Sequence, residues 1–433
     1  MKSILFFLFL FVFIFPIRAQ IYIPVDTLNS PKGELIKHFQ VGTKELEREF
    51  KSFPVTNKKM IRGFVDSRKK MFEELSKSQY FYFDPELEDY INGLLVDIAE
   101  TNNIDPRPLK IFLSRDTAPN AFSLGDGNFV FNLSLLNRLE NEDELKFIIA
   151  HELAHYQLNH LQKRIETRMK LSTSEDYVSK QKEIKKSRYN KFSKSLEYYR
   201  DLLYENQTVG RKGELEADSM GYALIKNIIR TPYHAISALE KLDTVSPSDL
   251  YKIDLEMLKA HFSTPITAFK EEWLAGYDFS KYNYQRGKMD IFGFHKDSLL
   301  SHPEMKERIL ELKKLIPEHI SSEKQEIDPF QELKEKIRFE NIYAHYCMEE
   351  YGRGIYLIIQ LQNSRNFDEN EALFYKKMLS LFYEKLREAR LSFTYKKYVD
   401  DVNVTFFSEE YNLFLTILDN LRASDLQTFA LDN

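Results

Sequence analysis

The 433-residue sequence has a single cysteine, Cys347, and therefore cannot form an internal disulfide or a zinc ribbon. Any bound metal would need nitrogen and oxygen ligands, and nothing near Cys347 indicates the activated nucleophile of a thiol protease. With only 14 Gly and 14 Pro, the composition excludes a fibrous chain. The 61 Lys and Arg do not exceed the 66 Asp and Glu, so no basic field favours nucleic acid. A globular protein without a nucleic-acid partner is expected.

The N-terminus has the pattern of a secretory signal peptide over residues 1–19. An early cation, Lys2, precedes a nearly unbroken apolar run from Ile4 to Phe15. This run is shorter than the roughly 20 residues that a transmembrane helix needs. Cleavage after Ala19 would give an exported chain, periplasmic or secreted, without a transmembrane segment. An uncleaved membrane anchor is the alternative.

Composition divides the rest of the chain into three predicted regions. Residues 20–78 are polar and of helical period, which predicts an N-terminal helical extension. Residues 79–320 mix helical and strand patterns, and residues 321–433 form a C-terminal helical region. The basic stretch from Lys163 to Arg200 indicates a solvated helix, with peripheral membrane contact as the alternative. The predicted fold class is therefore α+β, mainly helical, with a small sheet.

Turn residues in the middle region predict a β-hairpin. Ala121–Leu124 and Phe129–Leu133 are apolar segments, and Gly125–Asn128 separates them. Upstream, Asp84 followed by Pro85 predicts the start of a helix that packs on the sheet.

The strongest motif is an H-E-x-x-H sequence formed by His151, Glu152 and His155. Asn141 and Glu144 predict the start of its helix, as N-cap and capping-box partner. Residues four apart lie on one side of a helix, so both imidazoles can share a Zn²⁺ ion. Glu152 can reach water at the metal without binding the ion itself, and could act as general base.

Two histidines need a third protein ligand from elsewhere in the chain. The metzincin pattern is excluded because Leu158 and Leu161 stand where it requires Gly and His. His160 is expected about half a turn away around the helix and outside the cluster. Glu214 and Asp218 are four apart, so Glu214 could bind the metal while Asp218 orients a ligand histidine.

The acidic segment and the metal site each have an alternative interpretation. Residues 214–218 could be an ordinary acidic helix, in which Glu216 points nearly opposite to its two acidic neighbours. A structural zinc site is disfavoured, because such sites usually have four protein ligands and no use for a free Glu152.

These motifs resemble metallopeptidase family forty-eight, the zinc enzymes similar to HtpX, BepA, Oma and the CAAX prenyl endopeptidases. The resemblance covers about residues 84–315 and includes several shorter segments. They are Asp84–Leu87, Asn120–Leu124, Glu140–Leu145, Ser301–Pro303 and Arg308–Ile309. The family pattern implies a zincin-type domain over residues 79–320 that holds one Zn²⁺ per chain. Its implied ligands are His151, His155 and Glu214, with Glu152 as the base.

The resemblance also implies roles for a histidine and an arginine near residue 300. His302 could stabilise the oxyanion of the tetrahedral intermediate, occupy the open zinc position in a resting enzyme, or cap the next helix at the surface. Arg308 is expected to support the ligands. An extended substrate could pair along an edge strand, although the same strand could simply be core. The predicted substrate-binding residues are Asn120, Ala121, Phe122, Ser123 and Leu124.

The sequence thus predicts an exported zinc metalloendopeptidase that uses a zinc-activated water. Its substrates would be polypeptides, including misfolded envelope proteins, and its biological role would be envelope protein quality control. The C-terminal region lacks a clear tetratricopeptide signature, and further hydrophobic spans are missing, which indicates the soluble exported branch. The alternative is a protease-derived chaperone or assembly factor whose residues 321–433 bind partners.

Overall fold

The computed structural model describes most of the chain outside the N-terminus. The described residues are 22–25, 27, 32–175, 179, 210–243, 253–265, 267–276, 305–317, 328–364, 367–403 and 407–432. The predicted signal peptide, residues 1–19, lies outside them, as do His302 and most of the basic stretch that ends at Arg200. Among the described helices, none is both long enough and apolar enough to cross a lipid bilayer.

Four short strands form one mixed sheet in the described part of the chain. They are β1 (Phe81–Tyr82), β2 (Lys110–Ser114), β3 (Ala121–Ser123) and β4 (Asn128–Asn132), in the order β1-β2-β4-β3. β2 runs parallel to β4 with Ile111 opposite Phe129, whereas the two outer strands are antiparallel to their neighbours. β3 and β4 form the predicted hairpin, and among the described strands β3 lies at one edge of the sheet.

Helices make up most of the remaining described structure, and the α+β, mainly helical fold class is confirmed. The first group is α1 (Gly33–Lys51), α2 (Lys58–Lys77), α3 (Pro85–Thr101), α4 (Leu133–Arg138), α5 (Glu142–Gln157), α6 (His160–Thr173), α7 (residues 210–225) and α8 (Tyr233–Asp243). The second group is α9 (Leu255–His261), α10 (Met305–Lys313), α11 (Pro329–Cys347), α12 (Tyr351–Ser364), α13 (Glu369–Leu391), α14 (Glu409–Asn420) and α15 (Ala423–Asp432).

The sheet is buried on both faces. Ile111 and Phe129 point into a core shared with α3, α5, α7 and α8. Phe112 and Val130 point the other way, into a smaller cluster with Phe39 of α1. This packing explains why β2 and β4 are apolar at successive positions instead of alternating with polar residues. A further core joins α9 to the C-terminal helices α12–α15, and α11 contributes side chains to this core and to the first one.

The N-terminal helices also hold the turn of the β3–β4 hairpin. The Arg68 guanidinium of α2 forms a buried ion pair with Asp126 and donates to the Leu124 carbonyl at 3.2 Å. Gly42 of α1 is required here, because a Cβ atom at that position would overlap the Asp126 carboxylate. The extension is therefore part of the packed structure around the edge strand.

The helix that carries the H-E-x-x-H motif begins where the sequence predicts. The Asn141 side chain accepts the Glu144 N–H at 2.9 Å, as expected of an N-cap residue. The Glu144 carboxylate reaches back to accept the Glu140 N–H at 2.6 Å. Because α5 is buried along most of its length, it serves as the central helix on which the candidate site is built.

Candidate metal centre

α5 and α7 bring two imidazoles and a carboxylate together. The Nε2 atoms of His151 and His155 lie 3.0 Å apart. The Glu214 carboxylate oxygens lie 3.5 Å from the first of these nitrogens and 3.6 Å from the second. All three ligand atoms fall within 4.8 Å of one another, and no second group of this kind occurs among the described residues.

This donor set fits a zinc ion by its chemistry. Two neutral imidazole nitrogens and one carboxylate oxygen are a set that Zn²⁺ takes in hydrolytic sites, with a fourth position left for water or substrate. Burial tends to lower the pKa of His151, but hydrogen bonds to Asp218 and Glu214 raise it to about 10. Burial lowers the pKa of His155 to about 3, helped by the neighbouring His151. Metal binding at His151 would therefore compete with a proton.

Asp218 and Arg308 lie directly behind the first ligand histidine. The Asp218 carboxylate is 3.0 Å from His151 Nδ1, and the Arg308 guanidinium holds that carboxylate in a two-pronged pair at 2.6 and 2.7 Å. The third guanidinium nitrogen, Nη1, lies 3.3 Å from the Glu214 carboxylate. Although burial raises the pKa of Asp218, its hydrogen bonds from Arg308 and His151 hold it below the usual value. Arg308 therefore places one positive charge between the buried Asp218 and the part-buried ligand Glu214.

Glu152 lies next to the cluster without belonging to it. Its side chain is buried, with only 7% of the residue exposed. Burial is the largest cause that raises the pKa of Glu152, to about 7. The Glu214 charge raises this pKa further, whereas His151 and the Ser123 backbone lower it. A carboxylate with a pKa near neutrality can both accept and return a proton.

The β3 edge of the sheet lies beside Glu152. The Leu124 N–H donates to the Asn128 carbonyl at 2.9 Å, and the Asn132 N–H donates to the Asn120 carbonyl at 3.0 Å. Because hydrogen-bonding direction alternates along a strand, the backbone groups of Ala121 and Ser123 face away from β4. The Ser123 backbone lies close enough to the Glu152 carboxylate to lower its pKa. Of the predicted substrate residues, Asn120 is exposed, Phe122 and Ser123 are half-buried, and Ala121 and Leu124 are buried.

The match to a known family covers the same segment. Peptidase family M48 matches residues 85–316, which is more than half of the chain. This chain belongs to Peptidase family M48. The matched segment thus includes β2, β3 and β4, the H-E-x-x-H helix and both acids of α7, and the predicted family is confirmed.

Three curated relatives are similar to part of the M48 chain. The beta-barrel assembly-enhancing protease of Yersinia pestis is 30% identical over 99 residues, 23% of this chain and 20% of its own. That of Escherichia coli (strain K12) is 34% identical over 83 residues, 19% of this chain and 17% of its own. A putative one from Vibrio cholerae is 31% identical over 98 residues, 23% of this chain and 20% of its own. The matches thus span at most 20% of the relatives' length. Membership of this family supports a metallopeptidase.

His160 lies closer to the M48 site than the sequence predicts. It contributes no atom to the three-residue cluster, yet its Nδ1 is 2.8 Å from His155 Nδ1. The expectation of half a turn assumed one continuous helix, but α5 ends at Gln157 and Asn159 has a left-handed φ of 55°. Glu216 was expected to point away from its acidic neighbours, and its carboxylate lies 3.3 Å from His160 Nε2.

Gly221 is a further M48 site residue that sequence reasoning missed. A Cβ atom at this position of α7 would lie 3.0 Å from both the Cα and the N of His151. This contact is with backbone, which has little freedom to move in a buried helix. Glycine therefore lets α7 approach α5 closely enough for Glu214 to reach the histidines.

We expect Gly221→Val to separate α7 from α5 and lower zinc affinity by about 10-fold or more, as displaced ligand support does in zinc sites. Competition with a chromophoric chelator would measure the dissociation constant. Gly93→Val is the matched control, because it places the same side chain in α3 with no atom within 4 Å. Wild-type zinc affinity in the Gly221 variant would contradict the prediction.

Proposed function

We propose that this protein is an exported zinc metalloendopeptidase with Glu152 as general base. The observation that carries the proposal is the convergence of His151, His155 and Glu214, with a buried Glu152 outside the ligand set. A closed structural zinc site would have no use for such a carboxylate, whereas hydrolysis needs one. Membership of Peptidase family M48 supports the same chemistry.

Each site residue has a separate task in this proposal. His151, His155 and Glu214 would hold Zn²⁺, which supplies Lewis acidity to polarise a peptide carbonyl and acidify water. Glu152 would take the proton from the attacking water and return it to the leaving amine. Asp218 would accept the His151 Nδ1 proton, which keeps Nε2 unprotonated for the metal. Arg308 would fix Asp218 and offset the charge of Glu214.

The substrate would bind as an extended strand along β3. The backbone groups of Ala121 and Ser123 that face away from β4 could pair with a polypeptide without reading its side chains. This pairing would set the scissile bond close to Glu152, because the Ser123 backbone contacts that carboxylate. Asn120, exposed at the start of the strand, would add a side-chain contact, with Phe122 and Leu124 completing the strand. His302 is proposed to stabilise the oxyanion or to occupy the open zinc position at rest.

The proposed setting is the cell envelope. The signal-peptide pattern of residues 1–19 supports export to the periplasm or beyond. The three relatives carry the name beta-barrel assembly-enhancing protease, which supports a role in envelope protein quality control, with misfolded envelope proteins as substrates. Residues 20–78, 79–320 and 321–433 are proposed as extension, peptidase domain and C-terminal region.

Metal removal tests this proposal. We expect the purified protein to contain one zinc per chain and to cleave an unfolded protein such as reduced casein. Dialysis against a chelator should remove both the zinc and the cleavage activity. Adding zinc back should restore both, because the proposed mechanism depends on the metal ion as its Lewis acid. Zinc content and product release would be measured on the same samples. Cleavage that persists in zinc-free protein would overturn the proposal.

A further inference from the structure

The two ligand histidines have different partners on their outer nitrogens. His151 Nδ1 faces the Asp218 carboxylate directly at 3.0 Å. His155 Nδ1 instead lies 2.8 Å from Nδ1 of His160, whose Nε2 lies 3.3 Å from the Glu216 carboxylate. The second ligand is therefore connected to a carboxylate through an intervening imidazole.

His155, His160 and Glu216 form a hydrogen-bonded row, and the metal at one end and the carboxylate at the other determine which nitrogens carry protons. A ligand His155 must keep Nε2 unprotonated, so its proton is on Nδ1 and is donated to His160 Nδ1. His160 then carries its own proton on Nε2 and donates it to Glu216. The opposite order would put a proton on His155 Nε2, where it would face the His151 nitrogen 3.0 Å away. Only the first order leaves His155 ready to bind a metal.

The backbone holds this row in place from two sides. The left-handed Asn159 breaks the chain direction between α5 and α6, so that His160, the first residue of α6, folds back beside His155. On the other side, α7 packs against the imidazole at Gly213, where a Cβ atom would make an ordinary van der Waals contact of 3.5 Å with His160 Nδ1. The His160 side chain is only 11% exposed, whereas that of Glu216 is 40% exposed.

We propose that His160 and Glu216 are positioning residues that set the tautomer and orientation of His155 for the metal. This inference rests on the zinc site proposed above. Hydrogen-bonded partners of ligand histidines typically change metal affinity 10- to 100-fold when they are removed. Removing His160 or Glu216 should therefore weaken zinc binding without lowering the stability of the zinc-free protein.

Four variants test the hydrogen bond separately from the packing. His160→Phe keeps a ring but removes the acceptor, and we expect zinc to bind about 10- to 100-fold more weakly. His160→Asn keeps an acceptor oxygen where Nδ1 was, and should recover most of this loss. Glu216→Gln should weaken binding less, because an amide oxygen still accepts. Lys212→Met is the matched control, since it removes the other ion-pair partner of Glu216, 3.6 Å away, and should change nothing.

The dissociation constant would be measured by chelator competition, alongside thermal unfolding of zinc-free protein. The proposal is overturned if His160→Phe binds zinc like the wild type, or if His160→Asn binds as weakly as His160→Phe. Should His160→Phe fail to fold, Glu216→Leu decides, because it removes the acceptor that faces His160 Nε2, and wild-type zinc affinity in that variant would overturn the proposal. A wild-type protein that binds no zinc would instead overturn the proposed function.

Discussion

Glu152→Gln is expected to lower the rate of peptide hydrolysis by about 100- to 10,000-fold, the usual contribution of a general base. Gln has nearly the same shape as Glu, so the buried position beside Ser123 should stay filled. Its amide cannot accept a proton from water at neutral pH, and the step that depends on Glu152 is lost. Zinc should remain bound, because Glu152 lies outside the cluster of His151, His155 and Glu214.

The rate would be measured with an unfolded protein substrate, and zinc content would be determined on the same preparation. Glu166→Gln is the matched control, since this α6 residue forms an ion pair with Lys170 and contributes no atom to the cluster, and it should retain full activity. Glu214→Gln should lose both zinc and activity, which separates a ligand from a base. Wild-type turnover in the Glu152 variant would exclude Glu152 as the general base, whereas a wild-type protein that binds zinc but cleaves no unfolded substrate would favour the chaperone or assembly-factor alternative.

Local periodicity is why the core of the candidate site could be read from sequence. The spacing of His151 and His155, and of Glu214 and Asp218, places each pair on one helix face whatever the rest of the fold does. The helix start at Asn141 and the β3–β4 hairpin depend on residues within one or two turns. Such features need no knowledge of distant contacts.

Tertiary contacts explain what the sequence did not predict. Gly221 matters because of its distance to His151, a residue 70 positions earlier in the sequence. His160 approaches His155 because Asn159 adopts a left-handed conformation, which the helical pattern around it did not indicate. Arg68, in the N-terminal extension, contacts the hairpin turn more than 50 positions later.

Another such contact joins the M48 domain to the C-terminal helices. Arg115 directly follows β2, and its guanidinium lies 2.9 Å from the Glu340 carboxylate of α11; both side chains are 0% exposed. The N-terminal segment completes this buried group. Glu340 accepts the Tyr22 hydroxyl at 2.9 Å and the Val25 N–H at 2.8 Å, while Arg115 donates to the Thr27 hydroxyl at 2.9 Å. Three regions of the chain therefore meet at one fully buried ion pair.

Glu340→Leu is expected to lower the free energy of unfolding by about 3–5 kcal/mol, because it leaves Arg115 charged and buried without its counter-ion. Urea denaturation would measure the change. Arg115→Met combined with Glu340→Leu should recover much of the loss, since replacing both charges removes the unpaired one. Glu388→Leu is the control, because it breaks an exposed pair with Lys385 and should cost less than about 1 kcal/mol. If Glu340→Leu costs no more than that control, Arg115 and Glu340 do not hold the three regions together.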